Sequence, residues 1–186
     1  VLLRSVKDLS GSVPMRRLSS LAALLVAAQI FVLAMLGAAV AEPKRLALVV
    51  GNAAYEATTK LPNAANDAKL FSRFLAKQGF DVETLTNVTR GELGRGLQRF
   101  SDRIEGGDIA LFYYAGHGMQ LRGQNFLLGI DARLENEFDV AAETLALDEI
   151  IATMEMRAGV SMVFIDACRN NPLAEQLARQ GEPQGT

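Results

Sequence analysis

The sequence predicts an α/β fold in which helices cover both faces of a mostly parallel sheet. Short continuous apolar runs such as Leu46–Val50 are typical of strands buried on both faces. Amphipathic segments follow these runs in regular alternation, as helices crossing over a parallel sheet do. Hydrophobic residues make up 49% of the 186-residue chain and charged residues 22%, which suits one domain with a sizeable core.

Local signals place the individual elements. Asn63 is expected to cap the first helix and Gly79 to end it. Thr89 and Glu92 match a capping box, and Arg122-Gly123 has the composition of a hairpin turn. The predicted elements, in chain order, are a strand over 46–50, a helix over 64–78, a strand over 81–86, a helix from Thr89 to Gly106-Gly107, a strand over 109–115, a hairpin return over 125–128, a helix over 147–156 and a strand over 160–165.

Two residues with reactive side chains follow buried strands at the same predicted edge of the sheet. His117 follows the strand over 109–115 and Cys168 follows the strand over 160–165; each is the only residue of its type in the chain. Carboxyl ends of parallel strands meet at one edge, where ligands bind, so we expect the two side chains to share one crevice. A neighbouring imidazole can take the proton of a thiol and leave the nucleophilic thiolate.

The backbone around this pair offers further chemistry. The glycines flanking His117 are expected to let the chain turn sharply and to leave room for a substrate chain. The backbone N–H groups of Gly118 and Cys168 are candidate donors to an oxyanion. A simpler interpretation also exists, because a lone Cys is often a small buried apolar residue and a lone His beside glycines is often a turn residue. Both residues standing at equivalent strand ends favours a functional pair.

The segments around these two residues are Tyr113-Tyr114-Ala115-Gly116-His117-Gly118 and Ile165-Asp166-Ala167-Cys168-Arg169-Asn170-Asn171-Pro172, with His117 and Cys168 51 positions apart. They resemble the His and Cys motifs of bacterial caspase-like proteins related to metacaspases, in which the His lies about 50 residues upstream of the Cys. The resemblance covers about residues 44–173, and we interpret residues 174–186 as a tail.

This resemblance implies a fold and a reaction. The fold is a three-layer α/β/α caspase-like fold with a mostly parallel sheet. The reaction is peptide-bond hydrolysis through a thioester acyl-enzyme, with Cys168 as nucleophile, His117 as general base, no third residue required, and no cofactor or metal.

The resemblance also implies a substrate site. The acidic pair that holds a P1 arginine or lysine in metacaspases maps onto Asp67 and Asp166. Two carboxylates near one pocket can bind a guanidinium through charge-assisted hydrogen bonds, so a basic P1 preference is our hypothesis. Alternatively, Asp67 complements a helix dipole and Asp166 bonds nearby N–H groups in a turn.

The sequence departs from the family pattern in ways that keep a second function open. Asp166 stands where caspases carry Gln, and Asn170 where the family carries Gly or Ser. Ala64 and Ala115 stand where metacaspases tend to carry Cys and Ser. Only 18 residues follow Cys168, whereas the family fold continues, so the resemblance implies a C-terminally truncated chain or a fragment. A catalytically incompetent caspase-like module that binds peptides or proteins is therefore the alternative.

The amino-terminal part is predicted to direct export. We interpret residues 1–14 as upstream of the true initiator and residues 15–41 as a signal peptide, with an arginine pair, an apolar run over 21–40 and a small-residue cleavage pattern at 39–41. We therefore expect a periplasmic or extracellular protein. The alternative is an inner-membrane anchor through residues 21–40, because about 20 apolar residues can span a bilayer.

Composition bears on the remaining classes of function. A net charge of −2 with no strongly basic stretch argues against a nucleic-acid partner. The chain has no glycine-rich phosphate-binding motif of the Rossmann or Walker type, and its single Cys has no resolving thiol for redox cycling. We interpret the acidic segment Glu135–Asp139 as a solvated loop rather than a metal site. The predicted partners are peptide or protein substrates, and the oligomeric state stays open.

Overall fold

The computed structural model describes residues 42–168 and, in addition, Val26 and Gln29. The chain divides into a unit over Val1–Glu42, in which those two residues are helical, and a unit over Pro43–Thr186, which holds the α/β domain. None of the helices in the described ranges is both long enough and apolar enough to cross a membrane. The predictions for residues 1–41 and for the 174–186 tail concern parts outside the described residues, apart from the two helical positions.

The elements of the domain alternate as the sequence predicts. In chain order they are β1 (Arg45–Gly51), α1 (Ala64–Lys77), β2 (Asp81–Thr86), α2 (Arg90–Arg103), β3 (Ile109–Leu121), β4 (Gln124–Leu128), α3 (Glu137–Glu143), β5 (Thr144–Ala146), α4 (Leu147–Glu155) and β6 (Val160–Cys168).

The long strand β3 is the centre of the sheet. Over Ile109–Ala115 it pairs in parallel with β1, and β1 pairs in parallel with β2 on its far side. On its other edge β3 pairs in parallel with β6, from Ile109 opposite Val160 to His117 opposite Cys168. Beyond His117, β3 pairs antiparallel with β4, which in turn pairs with β5. The sheet is therefore mostly parallel, with an antiparallel extension at the carboxyl end of β3.

Helices pack on both faces of this sheet. Alternate residues of β1 point to opposite faces, because side chains alternate along a strand. One face packs against α2 and α4, and its cluster includes Leu48, Phe112, Phe100 and Ile150. The other face packs against α1, and its cluster includes Ala47, Val49, Ala68 and Leu75. The three-layer α/β/α fold predicted from the sequence is confirmed.

The sequence placed the His and Cys motifs just beyond the strands, and this was wrong. Both motifs lie inside strands, because β3 continues to Leu121 and β6 continues to Cys168. The strand β3 can continue past the end of β1 because β4 supplies a new pairing partner from Gly118 onward. Gly116 therefore belongs to an extended strand, and the sharp turn expected beside His117 is absent.

Other local expectations need smaller corrections. Asn63 has helical backbone angles and makes no side-chain cap, whereas the capping box of Thr89 with Glu92 is present. The second helix ends at Arg103, before the glycines expected to stop it. The acidic segment Glu135–Asp139 is not a simple loop, since Asn136 and Asp139 form a capping box that begins α3.

Candidate active site

His117 and Cys168 occupy equivalent backbone positions in two neighbouring parallel strands. They form the last register pair of the β3–β6 ladder. Neighbouring strands lie about 4.8 Å apart, so the two backbones are close at the carboxyl edge of the sheet. This is the edge at which the sequence predicted that the pair would meet.

The imidazole of His117 has a backbone partner. Its Nε2 lies 2.7 Å from the carbonyl oxygen of Thr59, in the loop between β1 and α1. A carbonyl oxygen can only accept a hydrogen bond, so Nε2 must carry the hydrogen. In the neutral ring Nδ1 is then the free base, because only one ring nitrogen carries a proton. Sequence analysis expected no third residue; Thr59 contributes through its main chain, which leaves no side-chain signal in the sequence.

Two buried tyrosines hold the backbone of His117. The His117 N–H donates to the Tyr55 hydroxyl at 2.7 Å, and the Tyr114 hydroxyl donates to the His117 carbonyl at 2.9 Å. The Tyr55 ring also packs against the imidazole, with ring centroids 4.5 Å apart. Tyr114 belongs to the motif on which the resemblance rests, but sequence analysis gave neither tyrosine a role.

Asn52 fixes the loops around this edge. Its side chain is fully buried just after β1 and donates to the carbonyls of Val88 and Leu128, while its amide oxygen accepts from the Val88 N–H. Its own N–H donates to the carbonyl of Ala115 in β3. One buried amide therefore connects three segments that surround the site. The sequence signal for this role was an asparagine directly after an apolar strand. A buried side-chain amide must find several hydrogen-bond partners, so such a residue is expected to connect neighbouring segments.

The two carboxylates predicted to bind substrate line one pocket. Asp67 from α1 and Asp166 from β6 border a cavity of about 220 Å³. The other residues lining it are Leu61, Pro62, Asn63, Ala64, Ala115 and Gly116. The two alanines that replace polar family residues thus lie in its wall. Asp166 is the register partner of Ala115, two positions before Cys168.

The pKa of Tyr113 reports the charges of the two carboxylates. Burial raises the pKa of the Tyr113 hydroxyl, and the negative charges of Asp166 and Asp67 raise this pKa further. Both carboxylates therefore act on the same hydroxyl. Among the described residues, the cavity is lined by these two carboxylates and by no Lys, Arg or His, an arrangement that would favour a cationic side chain.

The remaining predicted site residue, Gly118, lies on the far side of His117. It forms the first β3–β4 pair with Leu127, and it lines a second cavity of about 200 Å³ with Met119, Ile165 and Ala167 among others. Its N–H is one residue beyond the candidate base. Within residues 42–168 no group of three or more His, Cys, Asp or Glu side chains is arranged to hold a metal ion.

Comparisons with known proteins point to one family. The caspase domain of peptidase family C14 matches residues 44–186. The chain is 29% identical over 130 residues to the human mucosa-associated lymphoid tissue lymphoma translocation protein 1, covering 67% of this chain and 15% of that protein. It is 25% identical over 145 residues to Caspase-1-B of Xenopus laevis, covering 73% of this chain and 37% of that protein. The chain thus spans well under half of these relatives.

A solved structure shares the fold. A crystal structure of a protein from Geobacter sulfurreducens superposes with a TM-score of 0.56 at 24% identity, covering 74% of this chain and 55% of that one. Together with the α/β/α layers and the His117–Cys168 register, the match over residues 44–186 shows that this chain belongs to the caspase-domain family of C14 peptidases.

Proposed function

We propose that the domain is a cysteine endopeptidase that cleaves after basic residues, with Cys168 as nucleophile and His117 as general base. The register of these two residues in adjacent strands is the observation that carries the proposal. Membership of the caspase-domain family supports the reaction class. The substrates would be peptides or proteins.

The chemistry follows from the tautomer of His117. Because Thr59 holds the Nε2–H, Nδ1 accepts the thiol proton of Cys168. The thiolate attacks the scissile carbonyl carbon, and the carbonyl oxygen becomes an oxyanion that the N–H groups of Gly118 and Cys168 are proposed to bind. The imidazolium then returns its proton to the leaving amine, and the thioester remains. Water hydrolyses the thioester, with His117 again taking a proton.

Substrate preference is proposed to come from Asp67 and Asp166. Both border the same cavity, and the charges of both raise the pKa of the Tyr113 hydroxyl. A guanidinium offers planar pairs of donors that suit two carboxylates, and a lysine offers one point charge. We therefore expect arginine at P1 to be cleaved faster than lysine, and aspartate at P1 to be rejected by charge repulsion.

A peptide panel tests reaction and preference together. Fluorogenic peptides that differ only in P1 are incubated with the full chain and with the variants Cys168→Ala, His117→Ala, Asp67→Asn and Asp166→Asn. We expect no turnover with the first two variants. The asparagine variants should lose about 10-fold or more in kcat/KM for P1 arginine, since a charge-assisted bond is worth roughly 1.5–3 kcal/mol.

Labelling of Cys168 separates the peptidase from a peptide-binding module. Cys168 is the only thiol in the chain, so a peptide chloromethyl ketone with P1 arginine can label one site. Rapid labelling that requires His117 indicates a working dyad. Peptide binding without cleavage and without His117-dependent labelling would support the incompetent module and contradict the proposal.

We also propose that the chain is exported through residues 15–41. The arginine pair and the apolar run in this segment support this, with retention as a membrane anchor as the alternative. Amino-terminal sequencing of the protein recovered from the periplasm or medium tests it. A mature chain that begins at Glu42 is expected, and an uncleaved chain in the membrane fraction would contradict cleavage.

A further inference from the structure

We infer that the hydroxyls of Tyr55 and Tyr114 clamp the backbone of His117 and thereby set the position and tautomer of the base. We call these two residues the tyrosine clamp. The inference rests on the role proposed for His117. It assigns the two tyrosines as positioning residues that act through His117 rather than on the substrate.

Hydrogen bonds connect the His117 N–H, the two tyrosine hydroxyls and the His117 carbonyl in a continuous series. The His117 N–H donates to the Tyr55 oxygen at 2.7 Å, and the Tyr55 oxygen lies 3.1 Å from the Tyr114 oxygen. Tyr114 lies 2.9 Å from the His117 carbonyl and 2.8 Å from that of Leu128. Each hydroxyl has one hydrogen, so the Tyr114 hydrogen is shared between the two carbonyl oxygens, and Tyr55 can donate to the Tyr114 oxygen or, over 3.5 Å, to the Leu128 carbonyl. The Leu128 carbonyl also accepts from Asn52.

The clamp controls the ring as well as the main chain. The Tyr55 ring lies against the imidazole at an angle of 54°, with centroids 4.5 Å apart. On its other side the imidazole is bonded to Thr59. The orientation that places hydrogen on Nε2 therefore depends on a fixed backbone below the ring and a fixed aromatic surface beside it. Loss of either should let the ring rotate.

The space around the clamp requires glycine at position 116. A Cβ atom on Gly116 would lie 2.6 Å from both the Tyr55 and the Tyr114 hydroxyl oxygens. Real Cβ contacts are never that short, so both hydroxyls would have to move. The glycine before the base is thus explained by close approach of the clamp rather than by backbone turning.

Burial keeps the clamp in its donating form. Tyr55 is 1% exposed and Tyr114 is fully buried. Burial raises the pKa of both hydroxyls, so both remain protonated over the range in which a Cys–His pair works. Both hydroxyls bind the main chain of His117, in addition to the pairing of this residue with β6.

The test uses the single histidine of the chain. Long-range ¹H–¹⁵N spectra of the full chain show one imidazole, so tautomer and titration of His117 are measured without assignment ambiguity. Tyr55→Phe and Tyr114→Phe keep the rings and remove the hydroxyls. Leu75→Ala is the control, because Leu75 is buried in α1 within a separate core cluster that contains neither Tyr55 nor Tyr114.

We expect the wild-type ring to be in the Nε2–H form and both phenylalanine variants to populate the Nδ1–H form as well. The kcat for a P1-arginine peptide should fall about 10- to 100-fold, as expected for a misplaced catalytic group, with KM nearly unchanged. Leu75→Ala should lower the unfolding midpoint but leave the His117 tautomer and kcat unchanged. Gly116→Ala should reproduce the change in tautomer, and its KM is expected to change as well because Gly116 lines the cavity with Asp67 and Asp166.

Each outcome bears on the inference separately from the proposed function. A wild-type chain that is inactive, but whose His117 tautomer changes in the tyrosine variants, supports the clamp and rejects the peptidase. Tyrosine variants with the wild-type imidazole spectrum and kcat overturn the clamp, whatever the activity. If Tyr114→Phe fails to fold, Tyr55→Phe decides in the same way, because Tyr55 alone accepts from the His117 N–H.

Discussion

At the scale of single residues, tyrosine hydroxyls are prominent around the candidate site, and two of them hydrogen-bond the backbone of His117. The chain has three tyrosines, at positions 55, 113 and 114, and the pKa of each is raised chiefly by burial. For Tyr113 the nearby aspartates add to this effect. The folded state therefore resists forming any of the three phenolates.

This has a consequence for stability at alkaline pH. Above about pH 10 the unfolded chain releases the tyrosine protons, whereas the folded chain retains them until a higher pH. Fewer bound protons in the unfolded state mean that stability is complete below pH 10 and falls as pH rises above it. Urea unfolding between pH 8 and 11 should show this fall, and Tyr114→Phe should reduce its slope. A native absorbance titration at 295 nm with its midpoint at or below pH 10 would contradict the explanation.

At the scale of elements, glycines close to neighbouring backbone decide how tightly strand and helix pack. Gly51 ends β1 against α1, where a Cβ would lie 2.6 Å from both the Ala64 carbonyl oxygen and the Ala68 Cβ. Gly94 lies within α2 and has no atom within 4 Å of the position of a Cβ. The two positions thus differ in space, and they should respond oppositely to the same substitution.

Alanine at each position gives a matched pair. We expect Gly51→Ala to lower the free energy of unfolding by about 1–3 kcal/mol, because β1 and α1 would be forced apart. We expect Gly94→Ala to raise it by up to about 1 kcal/mol, because alanine favours the helix. Chemical denaturation of both variants checks this. Equal effects of the same sign would mean that close packing at Gly51 is not what constrains it.

At the scale of the whole molecule, the β3–β6 ladder sets the backbone distance between His117 and Cys168, the proposed base and nucleophile. The ladder runs without a bulge from Ile109 opposite Val160 to His117 opposite Cys168. The chain that connects His117 to β6, including the turn of the β3–β4 hairpin, is not part of this ladder. Strand pairing therefore fixes the spatial proximity of His117 and Cys168, and the 51-position separation along the chain is free to change.

Insertions can test whether strand register or the length of the connecting chain positions His117 and Cys168. A Gly-Ser insertion between Arg122 and Gly123, at the exposed hairpin tip, should leave labelling of Cys168 by the peptide electrophile within about two-fold of wild type. One alanine inserted between Met162 and Val163 shifts the later part of β6 by one position and moves its side chains to the opposite face. Labelling should then be lost. A strand insertion that retains His117-dependent labelling would show that register does not position the pair.

Sequence reasoning brought His117 and Cys168 to one edge of the sheet, and it missed the main-chain and core groups around His117. The fold class, the β3–β4 hairpin and the capping box at Thr89 were predictable because apolar period and turn residues are local signals. The pairing of His117 with Cys168 followed from the parallel sheet. The extension of β3 past His117 did not, because it depends on β4 as a partner. The bond to Thr59 could not be predicted, since it joins a carbonyl to a ring 58 positions away.

The hydrogen-bond partner of the His117 imidazole is a main-chain oxygen, so a side-chain substitution does not remove it. The oxygen that holds Nε2 belongs to the peptide unit of position 59, which every amino acid possesses. Replacing the exposed Thr59 side chain therefore leaves that oxygen in the chain, and only a change in the path of the loop can withdraw it. Selection for this hydrogen bond would therefore act on the length of the loop between β1 and α1. In a sequence alignment, position 59 would show no preference for any one residue type.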